Sequence, residues 1–588
     1  MNCKLINENF KENYVENLLA ARGVKNVKDF FNPTDNYLQE PDDLENIEAG
    51  ATLYLKNIKK DNSNVLVIVD PDMDGFTSAA ILYQYTKKIN PNIKIQYFLH
   101  EGKAHGLEEH INRIIEESIQ YDLILLPDSS SNDIKYHNLL KNINIPCLVL
   151  DHHLTDEDLS DNAIIINNQL SPLYKNKELT GAGIVYQFCH YLDKKLNVNY
   201  ADNYIDLAAA GIIGDMGSVI EMENRFIIKK GLSNINNVFL KTLLEKQAYS
   251  ITGKMNASWE EILNKTNPIS IAFYIVPLIN ALIRVGSMED KELMFQAFID
   301  GEKLVPCNKR GAKGTLEKAC IEATRVCLNA KSHQNKLKEE ISIKLENKIF
   351  KEDLLSNKVL FIKLDNYDIF PSELNGLICT QLAAKYKRPT IVARLNNEGY
   401  IRGSARGLNQ SKLKDFKYFM TNSGLFEYAQ GHAQACGCSI PNKNLEAFIK
   451  YANEELKDYN FDENVYNINF IRNSNDSDLK VLILSLSSVD GIWGQNNDEP
   501  LIFIKDLHLS QSDISIIGKN KDTLRFEKNG ITYIKFKAKE IIEKLSSMGP
   551  DLRIEIVGKA NLNEWCGRTT PQILIEDIEF KNDSILDF

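Results

Sequence analysis

The sequence predicts an α/β protein built in parts: a parallel-sheet domain, a linking helix, a second α/β domain and a C-terminal β-barrel of OB type. Three observations lead there. From residue 64 to about 215, apolar strands alternate with helical stretches, the spacing of a doubly wound parallel sheet. A second strand–helix–strand unit follows at residues 359–393, and beyond Asp478 the texture changes to short alternating strands around the hairpin signal Asn529-Gly530. At 588 residues and 43% apolar content the chain can fill several cores. The expected parts are a helical lead-in over 1–50, a first α/β domain over 51–240, a helical connector over 241–350, a second α/β domain over 351–460 and the barrel over 465–588.

The first strand sets the theme. Residues 65–69 are five consecutive aliphatics, as in a strand covered on both faces, and they end on Asp70-Pro-Asp72-Met-Asp74-Gly75. An extended backbone would aim these three carboxylates the same way, with Gly75 turning into a helix that starts near Thr77. A lone Asp here would be read as a helix N-cap; three in five residues repel one another unless a cation joins them. The D-x-D-x-D-G opening of a calcium loop is excluded, because Ile81 stands where that loop needs Glu.

Further strands repeat the device. After a break at Phe30-Phe31-Asn-Pro33, the order is a helix to about Ile89, a strand over 93–98, a helix over 108–120, and a strand over 123–126 ending in Pro127-Asp128-Ser129. The strand over 147–150 ends in Asp151-His152-His153, and that over 164–166 in Asn167-Asn168. Parallel strands bring these ends to one rim, where ligands of open α/β sheets sit. An apolar helix of small residues, 207–214, leads to Asp215, read equally well as a turn residue. Carboxylates with one or two imidazoles suit a pair of hard divalent ions, manganese first and magnesium second.

Composition narrows the class. A net charge of −11 argues against a general polyanion binder, although basic residues can be local. The ten cysteines include no CxxC pair, and no run approaches the roughly 20 apolar residues of a membrane span. The start carries no apolar leader, so a soluble chain of the reducing cytoplasm is expected.

Asp70-Pro-Asp72-Met-Asp74-Gly75, Asp128, Asp151-His152-His153 and Asp215 occur in the order of the four motifs of the DHH phosphoesterase superfamily, and the chain resembles its RecJ-like single-strand-specific exonucleases. The resemblance extends to Ala21-Arg22-Gly23-Val24, Leu179-Thr-Gly181-Ala-Gly183, the stretch from Pro277 to Arg284, Gly403-Ser404-Ala405-Arg406 and Gly431-His432-Ala433, the last two resembling the family's DHH-associated domain. It implies a DHH domain, a linking helix over about 314–347, a DHH-associated domain and an OB-type barrel. In that barrel Lys519, Lys521, Arg525, Lys528, Lys535 and Lys537, interleaved with Phe526, Tyr533 and Phe536, would hold single strands by stacking and phosphate contact; Lys-rich edges that deter aggregation are the plainer reading.

The resemblance further implies a 5′ to 3′ exonuclease on single-stranded DNA that releases 5′-mononucleotides, in repair or recombination. Asp72, Asp74, Asp128, His152 and Asp215 would hold two cations about 3.5–4 Å apart, Asp128 bridging and Asp70 a further ligand. His153 would touch the scissile phosphate while Asp151 orients a histidine, and Ser404, Arg406, Arg284 and His432 would bind the terminal 5′ phosphate. Expected partners are single-stranded DNA, with RNA as the alternative, and a single-strand-binding protein or helicase; the chain is expected to be monomeric, with no membrane.

The chain also departs from the family pattern. Ile68 replaces a histidine ligand of the pyrophosphatase branch, Ser129-Ser130 replaces Asn-Gly, and His100 replaces an arginine. Ala104-His105-Gly106 stands for Gly-Tyr-Gly, Gln430 for the first Gly of Gly-Gly-His, and Gly407 for Ser. Two other readings stay open: a phosphodiesterase for short oligonucleotides or cyclic dinucleotides, and an inactive scaffold.

Overall fold

The computed structural model describes all residues except 61, 103, 117–120, 156–158, 366–369, 546–547, 566–567 and 582–588. It falls into two compact units, one of Lys28–Lys336 with Gly491–Asp498, the other of Met1–Val27, Leu337–Asp490 and Glu499–Phe588.

The first unit is built on a five-stranded sheet in the order Lys94–Leu99, Asn64–Val69, Leu123–Pro127, Cys147–Asp151, Ile164–Asn167. Every pairing is parallel, so all five C-termini reach the same edge. Side chains alternate between two cores, as a period of two requires. Val65, Val67 and Val69 pack in one cluster with the helices Met73–Ile89, Gly181–Leu196 and Ile205–Gly214, and Leu66 and Ile68 pack in the other with Leu107, Ile111 and Leu140.

Several expected elements are corrected. The helix after the acidic run begins at Met73 rather than near Thr77, because the Asp72 side chain caps it by accepting from Gly75 N at 3.0 Å. The three acids are therefore not alternating residues of one extended strand. Gly75 makes no sharp turn; a Cβ there would stand 2.5 Å from the Asp70 backbone oxygen, so glycine permits a close approach. The helix expected over 108–120 is seen as Ile111–Glu116, and 117–120 lie outside the described residues. An 18-residue helical stretch, Pro268–Val285, is apolar enough to span a membrane (mean hydropathy 1.8), longer than the sequence suggested; Ile271, Ile275, Leu278, Ile279 and Leu282 face the core, while Phe273 is 70% exposed.

In the other unit, a five-stranded sheet runs Tyr428–His432, Ala435–Pro441, Tyr400–Arg406, Thr390–Leu395, Leu360–Leu364. Only the last two pair in parallel, and the helix Asn375–Tyr386 packs on the sheet. The long charged helix, Ala319–Lys351, has its first half in the unit of Lys28–Lys336 and its second half in this one; it starts after 314 because Leu304–Pro306 and Leu316–Lys318 first pair as a short hairpin.

The C-terminal region differs from a set of short strands. Leu479–Ser487 is a helix, and the longest strands, Asp551–Trp565 and Arg568–Lys581, form an antiparallel ribbon within a seven-stranded sheet. Phe526 and Tyr533 are 2% and 0% exposed and stack on each other at 4.8 Å, so they fill the core and offer no platform to a base; Phe536 is 59% exposed.

Candidate metal centre

Strand ends and helix ends deliver the site. Asp70 follows the Asn64–Val69 strand, Asp128 follows Leu123–Pro127, Asp151 ends Cys147–Asp151, and Asp215 is the C-cap of Ile205–Gly214. Asp128 turns off its strand in the left-handed region, φ 67°, a conformation uncommon for a residue with a Cβ.

His152 is the hub. Its Nε2 lies 3.2 Å from Asp128 Oδ1, 3.5 Å from Asp215 Oδ2 and 3.9 Å from Asp74 Oδ2. Ligand atoms gather in three overlapping groups, each within 4.8 Å: Asp74 with His152 and Asp215; Asp70 with Asp72 and Asp128; Asp128 with Asp151, His152 and His153. Asp70, Asp72, Asp74, Asp128, Asp151, His152, His153 and Asp215 are thus brought together, with Asp128 common to two groups. Arg284 ends the helix Val276–Val285 of the same unit, outside these groups.

Donors from other elements hold the acids. Asp74 accepts from Thr180 Oγ1 at 3.0 Å, Gly181 N at 2.7 Å and Ala182 N at 3.0 Å, the positive end of the Gly181–Leu196 helix. A Cβ on Gly181 would stand 2.3 Å from Asp128 Oδ1, so glycine leaves the space that carboxylate occupies. Asp151 accepts from Ser131 N, His152 N and His153 N, and pairs with His153 Nδ1 at 2.8 Å, so it orients His153 and leaves His152 to the acids.

Charge is crowded here, buried on Asp70, Asp74, Asp128 and Asp151, while the Asp215 and His153 side chains are 39% and 52% exposed. Burial, then Asp74 and the other acids, pushes the Asp128 carboxyl well up; burial followed by Asp74 and Asp72 pushes Asp215 up to about 8. Asp70 rises to about 6, chiefly by burial, and Asp74 is raised for the same reason. Burial holds His152 below the ordinary imidazole range, favouring the neutral ligand form. Burial also works against charge on His153, but the Asp151 carboxylate outweighs it and pushes His153 up to about 9.

The donor set fits a hard divalent cation on a specific observation. Asp70 Oδ1, Asp128 Oδ1 and His152 Nε2 are buried and have no hydrogen-bond partner. Leaving three such atoms unsatisfied is costly. Adjacent ligands of an octahedral ion at about 2.1 Å lie about 3 Å apart, close to the spacing of His152 Nε2 and Asp128 Oδ1.

In the second unit, Ser404 and Arg406 alternate on the strand Tyr400–Arg406, and Arg406 and exposed His432 both stand opposite Ala435 on either side of the strand between them. A Cβ on Gly376 would meet Arg406 Nη2 at 2.6 Å, which sets the guanidinium against the first turn of the helix Asn375–Tyr386.

Several participants were not assigned a role from sequence: Thr180, the amides of Gly181 and Ala182, Ser131, and His105, whose Nδ1 is 2.7 Å from Asp70 Oδ2. The run Thr180-Gly-Ala-Gly183 before a helix was a legible sign of an anion-holding N-terminus; nothing in sequence pointed His105 at Asp70.

The N-terminal domain model of the DHH family matches residues 64–212, and the RecJ OB domain model matches 478–577, which defines the class as a DHH phosphoesterase. The chain is 36% identical, over 98% of both chains, to the SPbeta prophage-derived protein of Bacillus subtilis named as single-strand DNA-specific exonuclease YorK. It is 24% identical to the single-stranded-DNA-specific exonuclease RecJ of Haemophilus influenzae, over 96% of each. The crystal structure of Thermus thermophilus RecJ with Mn2+ superposes with a TM-score of 0.72 at 17% identity, covering 99% of this chain and 80% of that one. The chain belongs to the RecJ family of single-strand DNA-specific exonucleases.

Proposed function

We propose that the protein is a metal-dependent 5′ to 3′ exonuclease that hydrolyses phosphodiester bonds of single-stranded DNA and releases 5′-mononucleotides. The observation that carries this reading is the set of buried, unpartnered ligand atoms on one rim, Asp70 Oδ1, Asp128 Oδ1 and His152 Nε2. Asp74, Asp128, His152 and Asp215 would hold one divalent cation, and Asp70, Asp72 and Asp128 a second, manganese or magnesium. The Mn2+ and Mg2+ complexes of Thermus thermophilus RecJ support that choice. Bound there, the ions would lower the pKa of a water and neutralise charge on the phosphoryl oxygens.

The chain's own residues do the rest. Asp74 is fixed by Thr180, Gly181 and Ala182, so it need not reorganise during the reaction. Asp151 keeps His153 protonated and turned by its Nδ1 bond, and His153 would donate to a non-bridging oxygen of the scissile phosphate. Arg406 and Ser404, beside the first turn of the Asn375–Tyr386 helix, would form an anion cradle for a terminal 5′ phosphate, with His432 as a further contact from the same sheet. Lys519, Lys521, Arg525, Lys528, Lys535, Lys537 and exposed Phe536 in the OB domain would hold the following strand. The ordinary setting is the cytoplasm, in repair or recombination.

A time course on 5′- and 3′-labelled single strands, with and without Mn2+, tests this. Early release of the 5′ label as a mononucleotide, only with metal, supports it. Release from the 3′ end, or equal rates on a dinucleotide and a long strand, overturns it.

A further inference from the structure

The loop after the Lys94–Leu99 strand is braced at both ends. His100, 2% exposed, pairs its Nδ1 with Glu109 Oε2 at 3.0 Å, and Glu101 N donates to Glu109 Oε1 at 2.8 Å. Buried Lys291 of the helix Met288–Ile299 donates Nζ to the carbonyls of His100 and Glu101. At the far end Leu107 N donates to Asp133 Oδ2 at 2.9 Å. Gly106 takes φ 65°, where a Cβ would meet Asp133 Oδ2 at 2.4 Å and Ser130 Oγ at 2.6 Å.

Between these braces stands His105. Its side chain is 61% exposed, yet Nδ1 is 2.7 Å from Oδ2 of Asp70, which is 1% exposed. An ionised Asp70 can only accept, so His105 Nδ1 carries the donating hydrogen. The other Asp70 oxygen, Oδ1, is buried and unpartnered, and Asp70 shares a ligand group with Asp72 and Asp128. A side chain built into a braced loop and bonded to one oxygen of a buried acid fixes which way the second oxygen faces.

We propose that His105 is a positioning residue of the metal centre: its Nδ1–H bond to Asp70 Oδ2 holds Oδ1 toward the cation position shared with Asp72 and Asp128. The inference rests on the two-cation reading of the rim. It makes the His105–Leu107 end of the loop, held by Asp133, a strut for one of the two positions and leaves the His152-centred position independent of it. Ligating carboxylates are held by hydrogen bonds from outside the ligand set, and loss of such a partner weakens metal binding by about 10–100-fold.

The test is a Mn2+ titration of the full-length protein, followed by calorimetry and by EPR of free Mn2+, for wild type, His105→Ala and His105→Asn, with thermal unfolding of each without metal. Wild type should bind two ions. His105→Ala should weaken one of the two by about 10-fold or more, with the other and the metal-free unfolding temperature unchanged. His105→Asn, whose amide can donate to Asp70, should recover most of the loss. Equal Mn2+ affinities in wild type and His105→Ala overturn the role of His105, as does an equal loss in both variants, or a raised KM for the strand with metal binding intact. Failure of wild type to bind two ions refutes the two-cation reading itself.

Discussion

His152 Nε2 and Asp128 Oδ1 lie 3.2 Å apart in the interior of the sheet rim, and neither atom has a hydrogen-bond partner. A neutral imidazole that presents its Nε2 lone pair and a carboxylate oxygen are both acceptors, and a cation held by both, as proposed above, would satisfy them. Asp128→Asn should therefore lower kcat by at least about 1,000-fold while changing single-strand affinity less than about 3-fold, because metal-ligand loss removes charge stabilisation at the reacting phosphate. Single-turnover hydrolysis and a fluorescence-anisotropy titration check the two halves.

Without metal, stability should fall as pH rises, and bound metal should offset that fall. In the metal-free fold burial, with the neighbouring acids, pushes Asp70 up to about 6 and Asp215 up to about 8, above the ordinary value of 3.8. A folded-state pKa raised above the unfolded one gives stability that is fully present below pH 4 and lost as pH rises through 6 to 8. The unfolding temperature in EDTA should fall across that window from these groups, and saturating Mn2+ should restore it, with about 2.7 kcal/mol expected per site at 100 times Kd. Calorimetric scans at several pH values, with each additive, measure both slopes.

Replacing Asp151 by Asn removes the carboxylate that pushes His153 up to about 9. His153 would then lose its proton at lower pH, so the alkaline limb of the kcat profile should move down toward the ordinary imidazole range. An unmoved limb excludes His153 as the group that carries that proton.

Arg406→Ala should raise KM for 5′-phosphorylated strands and abolish the preference over 5′-hydroxyl strands, with a smaller effect on kcat. Gly376→Ala should act in the same direction, since its Cβ would stand 2.6 Å from Arg406 Nη2. Competition between the two kinds of strand end reads out both variants.

In the OB domain, Phe526 and Phe536 should part company. Phe526→Ala removes a ring that is 2% exposed and should destabilise its unit by about 3–5 kcal/mol. Phe536→Ala should leave stability unchanged and weaken strand binding by about 1–3 kcal/mol.

The parallel sheet and the acid rim were legible because the code is local: aliphatic runs ending in Asp70, Asp128 and Asp151 mean strands that share one C-terminal edge. What local pattern could not show was competition for a side chain. Asp72 serves as a helix cap, which shifted the helix start to Met73 and broke the expected alternation of three acids. Phe526 and Tyr533 read as an aromatic display between lysines, but cross-strand pairing turned them onto each other in the core. The helix Leu479–Ser487 was lost because its apolar run carries no breaker to distinguish it from a strand. The His105–Asp70 contact joins residues 35 apart through a loop with no motif of its own.

Anomalous diffraction at the manganese edge from crystals soaked in Mn2+ addresses the cation pair without intermediaries. Two peaks are expected, one within ligand distance of Asp74, Asp128, His152 and Asp215, the other of Asp70, Asp72 and Asp128. No peak on that rim, or manganese bound only elsewhere, would contradict the two-cation centre and the hydrolysis built on it.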